Sequence, residues 1–415
     1  MQHIDIAIVG GGPVGAALAV GLEGSGLSVA VLEAQKNSIG RKSDSAFRQA
    51  CVATPAETAT LAHPAQSETP ARDPRALALS QGAHLILQRL GAWESLAAHA
   101  TAIESIHVSQ RGGLGSAVLT AQDVDSPALG YVAEYGDLHA ALSARMDNCG
   151  ATILTGARVT AVKATAGYGM VGYQHDGGEQ MLTAGLVVLS EGGKSLPAAL
   201  RQDKDYGQSA VVCTVQTEQP HKQRAFERFT PDGPIALLPL REDYALVWTT
   251  PNAQLEERLA LSDAAFLAQL QTAFGDRQGR FLAASRRAAY PLKLALAAAS
   301  ASPRIVRIGN AAHTLHPVAG QGFNLGLRDA WKLAETLLDT PRQQLGEAAA
   351  TRRYEKTRQF DIAGGSLMTD ILVESFSNDR FLLKHARGAA LLLLDLAPPL
   401  KTLFARKMMF GAQAW

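Results

Sequence analysis

Six residues near the start of the chain, Gly10-Gly11-Gly12-Pro13-Val14-Gly15, are the first whose types and spacing could hold a ligand. They match GxGxxG between an apolar run (IDIAIV, 4–9) and a stretch rich in small residues (13–25) that reads as a helix. In that setting each glycine has its own task. Gly10 permits a tight turn, Gly12 lets the backbone approach a pyrophosphate, and Gly15 lets helix and strand pack closely. The helix start adds free N–H groups and the positive end of its dipole. Glu33 closes the next apolar run (SVAVLE, 28–33), where a carboxylate can accept hydrogen bonds from both ribose hydroxyls. A second GxGxxG, Gly167 to Gly172, sits among strand-like residues and runs into QHDGGE, a turn, so it is expected to be a hairpin. The first motif predicts a bound dinucleotide and does not choose between NAD and FAD.

Residues 307–329 read RIGNAAHTLHPVAGQGFNLGLRD. Asn310 is expected at the end of a buried strand, where its side chain can bond a ribityl or phosphate oxygen. Gly320 and Gly322 free the backbone to pass a flat ring. A helix from about Phe323 would aim N–H groups at the ring edge that becomes negative on flavin reduction. This stretch resembles the second FAD motif of the flavoprotein aromatic hydroxylases, GDAAH…P…GQG…N. With Asn for Asp, and with the pattern TLHPxAGQGxNLGxRD, it is similar to the ubiquinone-biosynthesis branch of that family. The resemblance extends to Gly10–Glu33, Arg75–Ser80, Glu134–Leu142, Glu191–Ser195 and GPIALLPL (233–240), sampling most of the chain except 34–74.

The resemblance implies FAD as cofactor. It adds Pro13, Val14, Pro317, Phe323 and Asn324 to the cofactor-binding candidates, with Arg75 beside the flavin. Glu191 stands where the family usually has Asp, which keeps the charge and lengthens its reach by one methylene. NAD(P)H is implied as a transient co-substrate docking in the substrate cleft, there being no second credible nucleotide fold. The implied reaction uses O2 and a flavin C4a-hydroperoxide to hydroxylate the ring of a polyprenylated phenol. His313 and His316 flank the flavin loop and are the candidate catalytic groups, as base or hydrogen-bond partner; a packing role is the alternative for each. No metal site is expected. A small soluble aromatic is the alternative substrate, although no Arg or Tyr clamp for a carboxylate stands out. A disulfide reductase would want a cysteine pair near the first helix, and a halogenase a Trp-x-Trp motif; Cys51 is alone and Trp93, Trp248, Trp331 and Trp415 are isolated. A flavin-binding subunit with an assembly role stays open.

The elements that must position these groups read as an α/β chain. The expected fold is a Rossmann-like FAD-binding domain, of the para-hydroxybenzoate hydroxylase type by resemblance. It is interleaved with an antiparallel-sheet substrate domain and followed by a helical C-terminus. The FAD-binding parts are expected at 1–103 (with a long loop at 34–74), 133–200 and 301–345. The substrate parts are expected at 104–132 and 201–300, with helices from 346 to 415. Helices are expected near 81–98, 137–149, 262–274 and 323–339, and a β-meander at 152–190. Strands at 208–250 would floor the substrate cleft, with Leu237, Leu238, Val247 and Trp248 as an apolar wall or as plain core.

Lys and Arg number 39 against 38 Asp and Glu, a formal charge of +1 that gives no reason to expect nucleic acid. Cys51, Cys149 and Cys213 form neither a CxxC pair nor a zinc spacing, so reduced thiols are expected. The start MQHIDIAIVGGG reads as a buried strand, not a signal peptide, and no apolar run reaches the ~20 residues of a membrane span. A cytoplasmic protein is therefore expected. Residues 384–415 carry Lys384, Arg387, Lys401, Arg406 and Lys407 against Asp395, interleaved with leucines and methionines. Such a segment suits a packed terminal helix, the surface of the inner membrane, or docking to a ubiquinone-biosynthesis complex. A homo-oligomer is also left open.

Overall fold

A computed structural model of the chain describes residues 2–36, 75–113, 115–191, 201–297, 299–314, 321–376 and 381–411. Of the expected long loop at 34–74, residues 37–74 lie outside the described residues, as do Cys51 and Trp415.

The nucleotide-side sheet has eight strands. Its centre is Gln2–Val9, paired in parallel with Val29–Glu33 on one side and with the end of Gly178–Leu189 on the other. Thr152–Thr155 and Ile305–Arg307 extend it in parallel at either side. The central strands are buried on both faces, so they read as continuous apolar runs. Ile6, Ile8, Val31 and Leu186 pack one face against the helices Pro13–Gly21 and Gln321–Leu338.

The expected meander at 152–190 is only half right. Arg158–Ala164 and Gly169–His175 do form an antiparallel hairpin that continues into the start of Gly178–Leu189, so the second GxGxxG is a hairpin. Thr152–Thr155, however, joins the parallel sheet. The strand Gly178–Leu189 changes character midway, from the exposed GEQM to the buried LVVL, because its second half enters the sheet interior.

The second sheet has nine strands. Its core run, from Ala288–Ala297 through Arg201–Thr217, Asp243–Pro251 and Gly233–Leu240 to Arg224–Thr230, is antiparallel. Ser105–Gln110 then joins Arg224–Thr230 in parallel. The helix Asp263–Phe274 covers the outer face, where Phe266 and Phe274 pack on Val211, Leu237 and Trp248. Strand alternation therefore splits the expected apolar wall. Leu237 and Trp248 belong to the outer core, while Leu238 and Val247 point to the inner face, towards the nucleotide side.

Ala76–Ser80, Gly130–Glu134 and Thr101–Ile103 make a small third sheet between the two. The helix expected near 81–98 is two helices, Gln81–Arg89 and Trp93–Ala97, broken where Gly91 adopts φ +64°. A helix at Asn252–Ala260 was not expected. Ala348–Phe376, Phe381–Leu396 and Pro398–Phe410 form the helical C-terminus.

Candidate active site

The glycine turn follows the first strand directly. Gly10 has φ +103°, and its N–H donates to Leu32 O at 2.8 Å. A Cβ on Gly15 would lie 2.1 Å from Gly10 O and 2.6 Å from Ser190 Oγ. Helix and turn thus touch backbone to backbone. Ser190 Oγ, within 2.9 Å of both Val9 O and Gly10 O, fastens the turn from the neighbouring strand end. Gly12 is different: a Cβ there would meet nothing within 4 Å. It caps the helix with no side-chain hydrogen bond, and Pro13 occupies the first helical position, where a missing N–H costs nothing. The next N–H groups therefore face open space, a cradle that fits a pyrophosphate. Glu33 borders it. Its Oε2 accepts from Gly11 N and its Oε1 from Gln35 N, each at 2.8 Å, leaving lone pairs on both oxygens for hydroxyl donors.

The second motif meets the first through Val14. Gly309 turns at φ +56°, and a Cβ on it would sit 3.2 Å from both methyls of Val14. A Cβ on Gly326 would sit 3.1 Å from Gly309 Cα and from a Val14 methyl. Val14 is thus a wedge between two glycines from the far end of the chain. Asn310 lies in the short helical turn Gly309–Ala311 rather than on the strand, which ends at Arg307, and its side chain is exposed.

Asp329 holds this turn from the long helix. Its Oδ2 accepts from Gly309 N at 3.0 Å and contacts His313 Nε2 at 2.5 Å, and its Oδ1 accepts from Arg358 Nε at 2.7 Å. Arg358 also donates to Asp361, which pairs with Arg328, all nearly sealed from solvent. Burial alone would raise the Asp329 carboxyl, but His313 and Arg358 outweigh it and bring it down to about 2. His313 is 1 % exposed and committed to Asp329, so it positions the Gly309 turn and does not face the cleft. His316, Pro317 and Gly320 lie outside the described residues, as do residues 192–195 of the third motif.

At the start of Gln321–Leu338, Gly322 resembles Gly12: among the described residues nothing lies within 4 Å of a Cβ there. Phe323 packs half-buried on the nucleotide-side core. Asn324 is buried; its Oδ1 accepts from Ser80 N at 2.9 Å and its Nδ2 donates to Ala78 O at 3.0 Å. It fastens the helix to the strand that begins beside Arg75. The Arg75 guanidinium lies between two rings, 4.8 Å from the Tyr135 centroid and 5.1 Å from that of Tyr290 on the second sheet. Arg75 thus stands at the seam between the sheets. Glu191 follows Ser190, its Cβ 3.0 Å from where a Gly10 Cβ would lie, so the third motif abuts the first.

Sequence reasoning did not assign the tasks of Ser190, Gly309, Gly326 and Asp329. Gly309, Gly326 and Asp329 sit inside the quoted 307–329 stretch, so the signal was present; their partners Val14 and Arg358 come from remote segments. Among the described residues no group of three or more His, Cys, Asp or Glu could hold a metal ion. Cys149 and Cys213 are free thiols.

The family model described as FAD binding domain matches residues 65–360. The ubiquinone hydroxylase UbiL of Rhodospirillum rubrum is 33 % identical, over 98 % of this chain and 89 % of its own length. The 3-demethoxyubiquinol 3-hydroxylase of Escherichia coli is 29 % identical, over 96 % of this chain and 97 % of its own. Among solved structures, p-nitrophenol 4-monooxygenase PnpA of Pseudomonas putida superposes over 100 % of both chains with a TM-score of 0.74 at 15 % identity, a likeness of fold. The matched segment carries the second motif and the seam at Arg75; the glycine turn at 10–15 precedes it. The chain belongs to the FAD-binding domain family, and FAD is its cofactor.

Proposed function

We propose that this chain is an FAD-dependent monooxygenase that hydroxylates the ring of a polyprenylated phenol in ubiquinone biosynthesis, using NAD(P)H and O2. The observation that carries the reading is the convergence of two glycine motifs from opposite ends of the chain. Val14 locks them together, while no described residue closes on Gly12 or Gly322. The names of the full-length relatives supply the substrate class.

FAD, when bound, supplies the electron transfer and oxygen activation. The chain's own contributions follow from its geometry. The helix starts at Gly12 and Gln321 offer N–H groups and positive dipole ends to phosphate and to developing negative charge. Arg75 adds a fixed cation at the seam. The inner face of the second sheet, with Val212, Ala236 and Val247 half-buried in adjoining strands, presents an apolar floor to an aromatic ring and excludes water.

The C-terminal pair of helices is read as the part that meets the membrane holding such a substrate. Among the described residues no single helix is long and apolar enough to cross a membrane; His385–Leu396 and Pro398–Phe410 pass together but bend by 99°. Leu392, Leu393, Leu396, Leu400 and Leu403 are exposed around that bend, Leu396 by 71 %. Exposed Pro398 and Pro399 sit at the apex, and exposed Arg406 and Lys407 stand about 10 Å behind it, the depth of a headgroup layer. The inner side of the pair is fastened to the second sheet by Asp395 on Val118 N and to the helical turn that follows that strand by Thr402 on Asp123 O. Its end reaches the cofactor helix, where Gln321 bonds Met408 O. An apolar tip therefore connects to the site through a short, packed path.

Removing the gene and profiling quinone intermediates tests the substrate class. An under-hydroxylated prenylphenol is expected to accumulate. Normal ubiquinone with no accumulated precursor, in cells without a second such hydroxylase, contradicts it.

A further inference from the structure

The inner face of the second sheet carries one carboxyl that the reading above does not use. Glu227 lies in the strand Arg224–Thr230, opposite Ala236 in one neighbouring strand and Val108 in the other. The same row continues through Val247 and Val212. These residues are half-buried and belong to none of the packed cores, so the row is part of the partly open inner face rather than of a sealed interior. Two residues along, the next row runs through Ala210 to Tyr290, whose ring holds Arg75. Glu227 therefore shares a face with the seam where the cofactor-side groups converge.

Glu227 makes no hydrogen bond or ion pair among the described residues. The basic neighbours in its strand alternate to the outer face, where Arg224 donates to Ser105 Oγ and Arg228 to Ser109 Oγ. The inner-face residues of the two flanking strands, Ile106, Val108 and Gln110 and Pro234, Ala236 and Leu238, carry no ionisable group. An unpartnered carboxyl in an apolar row costs stability, so a ligand donor is the natural partner. Burial pushes it up to about 7, where it can take and return a proton near neutral pH.

We propose that Glu227 accepts the proton of the substrate's ring hydroxyl. The O–H bond of the phenol breaks, a new O–H forms on the carboxylate, and the ring becomes an electron-rich phenolate. The ring carbon that gains the oxygen then loses its hydrogen as a proton to solvent, which restores aromaticity, and Glu227 returns its proton to the product oxygen. This assignment rests on the hydroxylase reading for its substrate.

The test is Glu227→Gln in the full-length holoprotein. Because the substitution removes a charge with no partner among the described residues, FAD content is expected to match the parent and the melting temperature to match or exceed it. With a short-chain prenylphenol of ordinary acidity, hydroxylation should fall by about 10²-fold or more. With a ring-fluorinated, more acidic analogue the defect should shrink to within about tenfold. Glu227→Asp should show the same pattern more weakly. Equal losses with both phenols, or no loss with either, overturn the proposal. A separate readout needs no turnover: a bound prenylated nitrophenol, titrated by its absorption, should ionise in two steps spread over pH in the parent, because it shares one proton with Glu227, and in a single step in Glu227→Gln. If the parent shows the two steps yet hydroxylates no phenol, the reaction assignment fails while the proton acceptor stands. If both proteins titrate alike, the proton acceptor fails.

Discussion

Gly12 and Gly15 are three residues apart in one turn, yet the structure predicts opposite consequences for the same substitution. Gly12 has φ −64° and ψ 177°, which any residue adopts, and a Cβ there meets no protein atom within 4 Å. Gly12→Ala should leave the apoprotein as stable as the parent, or more stable by about 0.4–1 kcal/mol through the less flexible unfolded chain. The methyl would instead fill the cradle over the first free N–H groups of the helix. Losing two charge-assisted hydrogen bonds at about 1.5–3 kcal/mol each costs about 3–6 kcal/mol of cofactor binding. That is a weakening of roughly 10²- to 10⁴-fold. Gly15→Ala does the reverse: its Cβ would sit 2.1 Å from Gly10 O, so helix and turn must part. The apoprotein should lose about 1–3 kcal/mol or more, as overpacked interiors do. Calorimetry on apoprotein and FAD titration by fluorescence quenching separate the two effects. If Gly12→Ala binds FAD within about threefold of the parent, or melts as early as Gly15→Ala, the phosphate cradle is wrong.

Three further outcomes follow from the same geometry. Asp329→Ala leaves the buried guanidinium groups of Arg358 and Arg328 to share Asp361 and frees His313 and Gly309 N, so urea unfolding should show a loss of about 3–5 kcal/mol. Asp329 is depressed from 3.8 to about 2, so its stabilising contribution is complete above pH 4 and drains as pH falls through 2. It amounts to about 2 kcal/mol, and calorimetry should find that the parent loses this between pH 4 and 2 while Asp329→Asn does not. Leu396→Glu with Leu400→Glu, both at exposed positions, should leave melting and FAD content unchanged and cut co-sedimentation with anionic phospholipid vesicles at least tenfold. A parent protein that stays in the supernatant, or a double variant that still sediments, removes the membrane reading.

The nucleotide half of the fold was legible because its signals are local. An apolar run, GxGxxG and a small-residue helix lie within a single βαβ unit, and a short run ending in Glu33 completes it. The second GxGxxG was correctly read as a hairpin because a turn, not a helix, follows it. What stayed hidden depends on pairing between remote segments. Val14 looks like a filler residue until Gly309 and Gly326 close on it. His313 looks like a catalytic base until Asp329 and Arg358 enclose it. The choice between cleft wall and plain core stayed open for Leu237, Leu238, Val247 and Trp248 because Gly233–Leu240 and Asp243–Pro251 are largely buried on both faces, which erases the alternation that would have separated Leu237 from Leu238 and Trp248 from Val247. Glu227 stood in the adjoining strand Arg224–Thr230, unremarkable in sequence among other charged residues. Only the register shows that its neighbours turn away.

The most direct measurement is oxygen incorporation by the purified holoprotein. Supplied with NAD(P)H, isotopically heavy O2 and a short-chain prenylphenol, it should yield a phenol heavier by one heavy oxygen atom on the ring, in step with nicotinamide oxidised. Nicotinamide consumption that yields only hydrogen peroxide and leaves every prenylphenol unchanged would contradict the account.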